Sequence, residues 1–197
     1  MSYEILTALA AFALVTSITP GPNNLMVMAS GANFGVIRTI PHLLGITLGF
    51  VLMTVLIGAG LTRLFTIYPD AYTALKVVSV VYMLFLAGKI ATAAPHDGAG
   101  PTSTPLTFLQ AALFQWVNPK AWAMAVTATS LYAPSQNMAA IALVAVVFGA
   151  VNLPSVSVWM LLGQKMRRIL TNTSRLRIFN IGMAVLLIAS LYPILYS

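Results

Sequence analysis

Apolar stretches, each about as long as a bilayer is thick, fill almost the whole of this chain and leave only short polar joints between them. A helix needs roughly 20 mostly apolar residues to cross the hydrocarbon layer, and in lipid only helices and closed barrels can satisfy their own backbone hydrogen bonds. The apolar windows predict spans near Tyr3–Met28, Thr39–Leu64, Ala71–Ala91, Leu106–Leu131, Met138–Leu162 and Leu176–Leu195. The expected fold class is therefore an all-α integral membrane protein of six transmembrane helices.

Composition excludes most alternatives. Hydrophobic residues make up 59% of the chain and charged residues 7%, and the mean hydropathy is +0.92, far from a soluble domain. The absence of cysteine removes disulfides, thiolate nucleophiles and Cys-ligated zinc. A net charge of +7 would suggest nucleic acid in a soluble protein. Here the basic residues sit between apolar segments and form no aromatic-interleaved basic face, so no nucleic-acid partner is expected. The N-terminal Met1-Ser2-Tyr3-Glu4 lacks the basic region of a signal peptide, and the apolar run behind it is expected to stay as the first span.

The joints carry turn and breaker residues: 31–38, 66–70 and 132–137. Residues 94–105, rich in Pro and Gly, lie almost at the midpoint, so a single transmembrane domain, 1–197, divides into halves 1–92 and 106–197 with a polar linker over 93–105. Arg38, Lys89, Lys165, Arg167, Arg168, Arg175 and Arg177 fall on one side of this layout, against Arg63 and Lys76 on the other. The side richer in Lys and Arg is cytoplasmic, which puts both termini outside. Three spans per half force the second half to enter from the opposite side, so any repeat is inverted. Leu14 to Pro20 aligns with Leu113 to Pro119, giving each half a break in its first helix, and paired broken helices point to a transporter's binding site.

Thr19-Pro20-Gly21-Pro22-Asn23-Asn24 is the strongest local feature. Two prolines and a glycine break a helix and free carbonyls, which lipid tolerates only where the backbone is buried or lines a watery cavity. The helix restarting at Pro22 would direct its N–H groups and positive dipole end at a carboxylate, with Asn23 and Asn24 completing a polar pocket. The plainer alternative is a structural kink whose asparagines cap freed backbone. Gln115-Trp116-Val117-Asn118-Pro119-Lys120-Ala121-Trp122 is the second feature. A lysine inside a span should face the bundle interior or water, where Lys120 would pair with a carboxylate or exchange a proton. Otherwise it snorkels or caps carbonyls freed by Pro119. Trp116 and Trp122 read as packing or interface anchors. Asn152 with Pro154, Ser155 and Ser157 is expected to break the fifth span as a packed kink, and Gly31–Gly35 and Gly45–Gly49 fit the small-xxx-small pattern of close helix approach.

The chain has no phosphate-binding Gly-rich loop. Its three acidic residues, Glu4, Asp70 and Asp97, fall at span ends or in joints, and His42, at a helix start, and His96, in the linker, are far apart in sequence. No metal, cofactor or protease constellation is expected, nor a Gly-x-Ser-x-Gly nucleophile, and the chain does not read as an enzyme.

These motifs resemble those of the LysE/RhtB family of bacterial amino-acid exporters. The likeness is carried by Thr19-Pro20-Gly21-Pro22-Asn23-Asn24 with Ser30/Gly31 to Gly35 behind it, by Leu44-Gly45 through Gly49-Phe50, and by Val117-Asn118-Pro119-Lys120. Over Thr16 to Phe50 the chain is most similar to the RhtB-type and cysteine/O-acetylserine exporters. The resemblance implies an inner-membrane secondary transporter that exports amino acids or close derivatives, driven by a proton or ion gradient. The missing interior carboxylate argues against lysine or arginine as cargo and leaves Lys120, His42 or the substrate's own charge to serve coupling. The substrate-binding residues expected are Pro20, Gly21, Pro22, Asn23, Asn24, Asn118 and Lys120. Expected partners are a small-molecule amino-acid substrate and the lipid bilayer, with a homodimer left open. A passive channel, or a non-transporting subunit using its GxxxG faces, are the rival readings.

Overall fold

A computed structural model describes residues 2–93, 104–134 and 137–192, and among these all regular structure is helical. The first apolar window folds as two helices, α1 (Tyr3–Ile18) and α2 (Pro22–Phe34), bent by 55° at the proline pair. A tight turn at Gly35, whose φ of 81° suits a residue without a side chain, leads into α3 (Val36–Leu56). A π-helical turn (Ile57–Leu61) extends α3, short α4 (Arg63–Ile67) follows, and α5 (Pro69–Ala91) returns across the bundle. In the second half α6 (Phe108–Phe114) and α7 (Pro119–Tyr132) are separated by a 3-10 turn over Gln115–Val117, and α8 (Met138–Arg167) and α9 (Thr173–Ala189) complete the chain.

Among the described residues three helical stretches are long and apolar enough to cross a membrane, Val36–Leu61, Asp70–Ala91 and Met138–Arg167, and the bent pair α1–α2, taken as one span, makes a fourth. The fourth window, 106–131, is two short helices around a break rather than one continuous span. At 17 residues, α9 is about 26 Å long at 1.5 Å per residue, just short of a crossing, and the end of its window at Leu195 lies outside the described residues. So do most of the linker and Asp97 and His96 within it. The fifth window corrects an expectation. There α8 runs unbroken for 30 residues with Pro154 inside it, and the Ser155 and Ser157 hydroxyls turn back onto their own helix, donating to the carbonyls of Val151 and Leu153 at 2.7 Å.

Large apolar side chains stand on the outside, among them Val77, Val78, Val81, Leu84 and Phe85 of α5. In water such a surface would drive aggregation; in a bilayer it meets acyl chains. The polar side chains Asn24, Asn33, His42, Gln115, Asn118, Asn152 and Asn180 are buried instead. An apolar exterior around an apolar core that also shelters these polar groups makes the chain a multi-pass membrane protein.

Lipid offers no hydrophobic drive between helices, so association rests on close packing and interhelical hydrogen bonds. Glycines set that packing. A side chain on Gly31 would strike the Met160 carbonyl of α8, and one on Gly163 would strike the Met28 carbonyl of α2, so these two helices meet backbone to backbone. On α3, Gly45 faces the Phe108 carbonyl and a Cβ on Gly49 would fall 2.6 Å from the Ala112 Cα. The four-residue spacing on α3 thus matches a four-residue spacing on α6. Gly31, Gly45 and Gly49 are therefore consumed inside the bundle, and the small-residue faces are not spare surfaces for a partner.

Gly163→Val should overpack the α2–α8 contact and lower stability by about 1–3 kcal/mol, whereas Gly88→Ala, with nothing within 4 Å of the new Cβ, should be nearly neutral. Thermal unfolding of both purified variants in detergent checks the contrast.

Candidate substrate pocket between two broken helices

The first break follows from local chemistry. Pro20 and Pro22 carry no backbone donor, so the last turn of α1 keeps carbonyls that nothing further along the helix can satisfy. Extended conformations at Thr19 and Gly21 carry the chain across the gap, and Pro22 occupies the first position of α2, where a missing N–H costs nothing. Side chains from elsewhere take up the freed carbonyls. Asn24 donates to Ser17 at 2.8 Å and Thr19 at 2.7 Å, and the Trp159 indole of α8 donates to Ile18 at 3.0 Å.

The remaining acceptors are met by the lysine. Lys120 Nζ lies 2.8 Å from the Thr19 carbonyl, 2.9 Å from the Thr19 hydroxyl and 3.3 Å from the Pro20 carbonyl. Its stem passes directly over Gly21, where a Cβ would sit 2.7 Å from Lys120 Cδ. Glycine at this position lets the stem cross. The cation therefore sits at the carbonyl end of α1, the negative end of that helix dipole. At the start of α2 the N-cap Gly21 supplies no side chain, so the helix is open to an anion there.

The second break faces the first. The Asn118 side chain accepts from the Lys120 N–H at 3.2 Å and starts α7, with Pro119 at its first position. Gln115, fully buried in the 3-10 turn, exchanges two hydrogen bonds with Asn23, 2.8 Å from the Asn23 amide and 3.1 Å from its own, and also donates to the Ala111 carbonyl at 2.9 Å. A reciprocal amide pair thus ties the two breaks together. From a third side, Asn152 of α8 donates to the Ser17 hydroxyl at 3.3 Å and accepts from Thr47 of α3 at 3.2 Å.

These groups meet at a small polar pocket of about 20 Å³, lined by Thr16, Ser17, Gly21, Asn23, Asn24, Phe50, Asn118, Lys120, Ala121, Met124 and Asn152. Five of the seven residues expected from sequence line it. Pro20 and Pro22 do not; Pro22 is buried in the break, and Pro20, exposed, contributes only its carbonyl. Gln115, Ser17 and Asn152 acquire their place only from the fold, and Asn152, read from sequence as part of a kink, is a wall of the pocket. An asparagine in mid-span, far from any joint, was the available signal for it. Trp116 and Trp122 pack on each other at 6.1 Å with Trp122 Nε1 donating to the Trp116 carbonyl at 2.8 Å, outside the pocket. Among the described residues Lys120 is the single charged residue of the lining, and no carboxylate belongs to it. Glu4 and Asp70 lie in the first turns of α1 and α5.

A family model described as LysE type translocator matches residues 14–190. The chain belongs to the LysE-type translocator family. Members of this family are transporters, not enzymes. Three similar proteins, each named cysteine/O-acetylserine efflux protein, align over 100% of both chains: 32% identity for Escherichia coli O157:H7, and 31% for E. coli K12 and for Shigella sonnei. No solved structure matches the chain. The family assignment covers the α1–α2 break, the α6–α7 break and α8 alike, so the polar pocket lies wholly within the matched region.

The Asn23–Gln115 pair should register as a coupling. Alanine at both positions should destabilise the protein by roughly 0.5–1.5 kcal/mol less than the sum of the two single changes, measured by unfolding in mixed micelles; strict additivity would mean that the pair does not hold the breaks together.

Proposed function

We propose that this protein is a secondary transporter of the bacterial inner membrane that exports a neutral amino acid or close derivative from the cytoplasm. Cysteine and O-acetylserine, the cargo in the names of its relatives, and threonine or homoserine are the leading candidates. The observation that carries the reading is the convergence of both broken helices on one polar pocket with, among the described residues, a single cation and no carboxylate. Such a lining suits a zwitterion with an uncharged side chain. It offers nothing to neutralise a cationic one.

In this reading Pro20, Gly21 and Pro22 shape the break, Asn23, Asn24 and Asn118 hydrogen-bond the substrate, and Lys120 carries the charge that pairs with its carboxylate. Asn152 and Gln115 join them as wall and tie. Halves 1–92 and 106–197 form an inverted three-plus-three bundle of six spans, with both termini outside and the pocket alternately open to each face. Splitting the helix at 118–119, as at 20–22, supports that division, since each half then presents one break to the shared pocket. The proton gradient supplies the energy.

Proteoliposomes loaded with labelled cysteine, O-acetylserine, threonine or homoserine should release a saturable, gradient-dependent flux. Lys120→Ala should lower that flux at least tenfold with membrane levels within two-fold of wild type. Wild-type flux in this variant would remove Lys120 from the mechanism, and no flux from any of the four would overturn the choice of cargo.

A further inference from the structure

A second cavity, of about 60 Å³, lies between the end of α2, the start of α3, the end of α5 and the segment before α6. It is separate from the pocket at the breaks but shares a wall with it. Asn23 of one and Ser30 of the other are seven residues apart on α2, about 10 Å along the helix.

Most polar groups here are already committed. Thr39 donates to the Gly35 carbonyl at 2.8 Å and pairs with the Ser30 hydroxyl at 2.9 Å. Asn33 and Asn180 exchange amide hydrogen bonds at 2.8 and 3.0 Å, and Asn33 also donates to the Ala29 carbonyl at 2.8 Å. His42 is the exception. It is 2% exposed, it lines the cavity, and neither ring nitrogen has a hydrogen-bond partner among the described residues. A buried donor or acceptor without a partner is costly, and an imidazole carries both. A packed interior does not keep such a residue for shape alone when leucine would fill the same space. Lys89, exposed at the end of α5 with its ammonium 5.8 Å from the Phe85 ring, also lines the cavity, while no carboxylate among the described residues does.

Position adds a direction. The cavity sits at the ends of α2 and α5, where Arg38 and Lys89 lie, and Gly35 at the α2–α3 turn adjoins Arg167 and Gln164 of α8. This is the end of the bundle richest in basic residues, from which an exporter takes its cargo.

We propose that this cavity is a second binding site, on the loading side, for the same class of small amino-acid derivative. Lys89 receives the carboxylate, the His42 imidazole pairs with the polar side group, and Met26 and Leu86 pack against the carbon skeleton between them. The proposal rests on the exporter reading, and supplies what that reading lacks: a place where cargo is selected before it reaches the breaks.

The test compares sidedness. Uptake of labelled O-acetylserine and cysteine is measured in everted vesicles, which present cargo to the basic face, and in right-side-out vesicles, which present it to the other. His42→Leu and Lys89→Gln should each raise the half-saturating concentration at least five-fold in everted vesicles and less than two-fold in right-side-out ones. His42→Asn, which restores a donor and an acceptor, should stay within two-fold of wild type in both. Equal effects on the two faces would overturn the proposal, since a merely structural role gives that result. So would wild-type half-saturation in Lys89→Gln, which changes an exposed residue and does not endanger folding. Absence of flux in the wild-type protein would be a different failure, of the exporter reading itself, and would take this site with it.

Discussion

Backbone carbonyls that cannot find water govern this structure. Two prolines at 20 and 22 leave the end of α1 with acceptors that no residue of its own helix can meet, and hydrocarbon would make each unmet acceptor cost several kcal/mol. Partners come from three other elements: Asn24 from α2, Trp159 from α8 and Lys120 from α7. Because two of these lie more than 100 residues away in sequence, the carbonyls freed at the break find all their partners only with the second half of the protein in place. The defect in one helix becomes a requirement for the assembly of all of them.

The same constraint explains why glycine does the packing. With lipid as apolar as the side chains, burying leucine between helices gains little, and contact quality decides association. Gly31 and Gly163 allow α2 and α8 to touch backbone to backbone, which brings Trp159 and Asn152 of α8 within reach of Ile18 and Ser17 at the break. Gly45 and Gly49 do the same for α3 and α6, leading the chain into the Gln115 turn. Close approach along the helices and polar closure at the breaks are therefore one arrangement seen at two depths.

What was legible in the sequence follows from the range of each interaction. The breaks at 20–22 and 118–119 are local consequences of proline, so their positions and five of the pocket's residues could be read directly. The Gly31 and Gly45–Gly49 pattern gave close approach but not its partners, since spacing on one helix says nothing of which other helix fits it. The Asn23–Gln115 pair and the Asn152 bridge join residues 92 and 135 positions apart, and no periodicity records that. Asn152 was misjudged for a physical reason. A proline two residues away suggests a kink, but α8 continues through Pro154 and the packing of α8 on α1 and α3 turns Asn152 to Ser17 and Thr47.

The charge pattern of the break bears on what the pocket can hold. Helix α1 points its carbonyl end into the gap and α2 its N–H end, so the two dipoles place negative and positive partial charge within one short segment. An α-amino acid carries the complementary pair on adjacent atoms. In this structure the carbonyl end is occupied by the Lys120 ammonium, which stands where a substrate's own ammonium would otherwise find acceptors, while the α2 start has no side-chain cap. A carboxylate arriving at α2 would therefore meet both the helix N-terminus and the lysine that reaches across from α7. A carboxylate added to this lining would instead hold Lys120 in a fixed ion pair and leave it less able to exchange partners, so the lack of acid among the pocket's described residues suits the role proposed for Lys120.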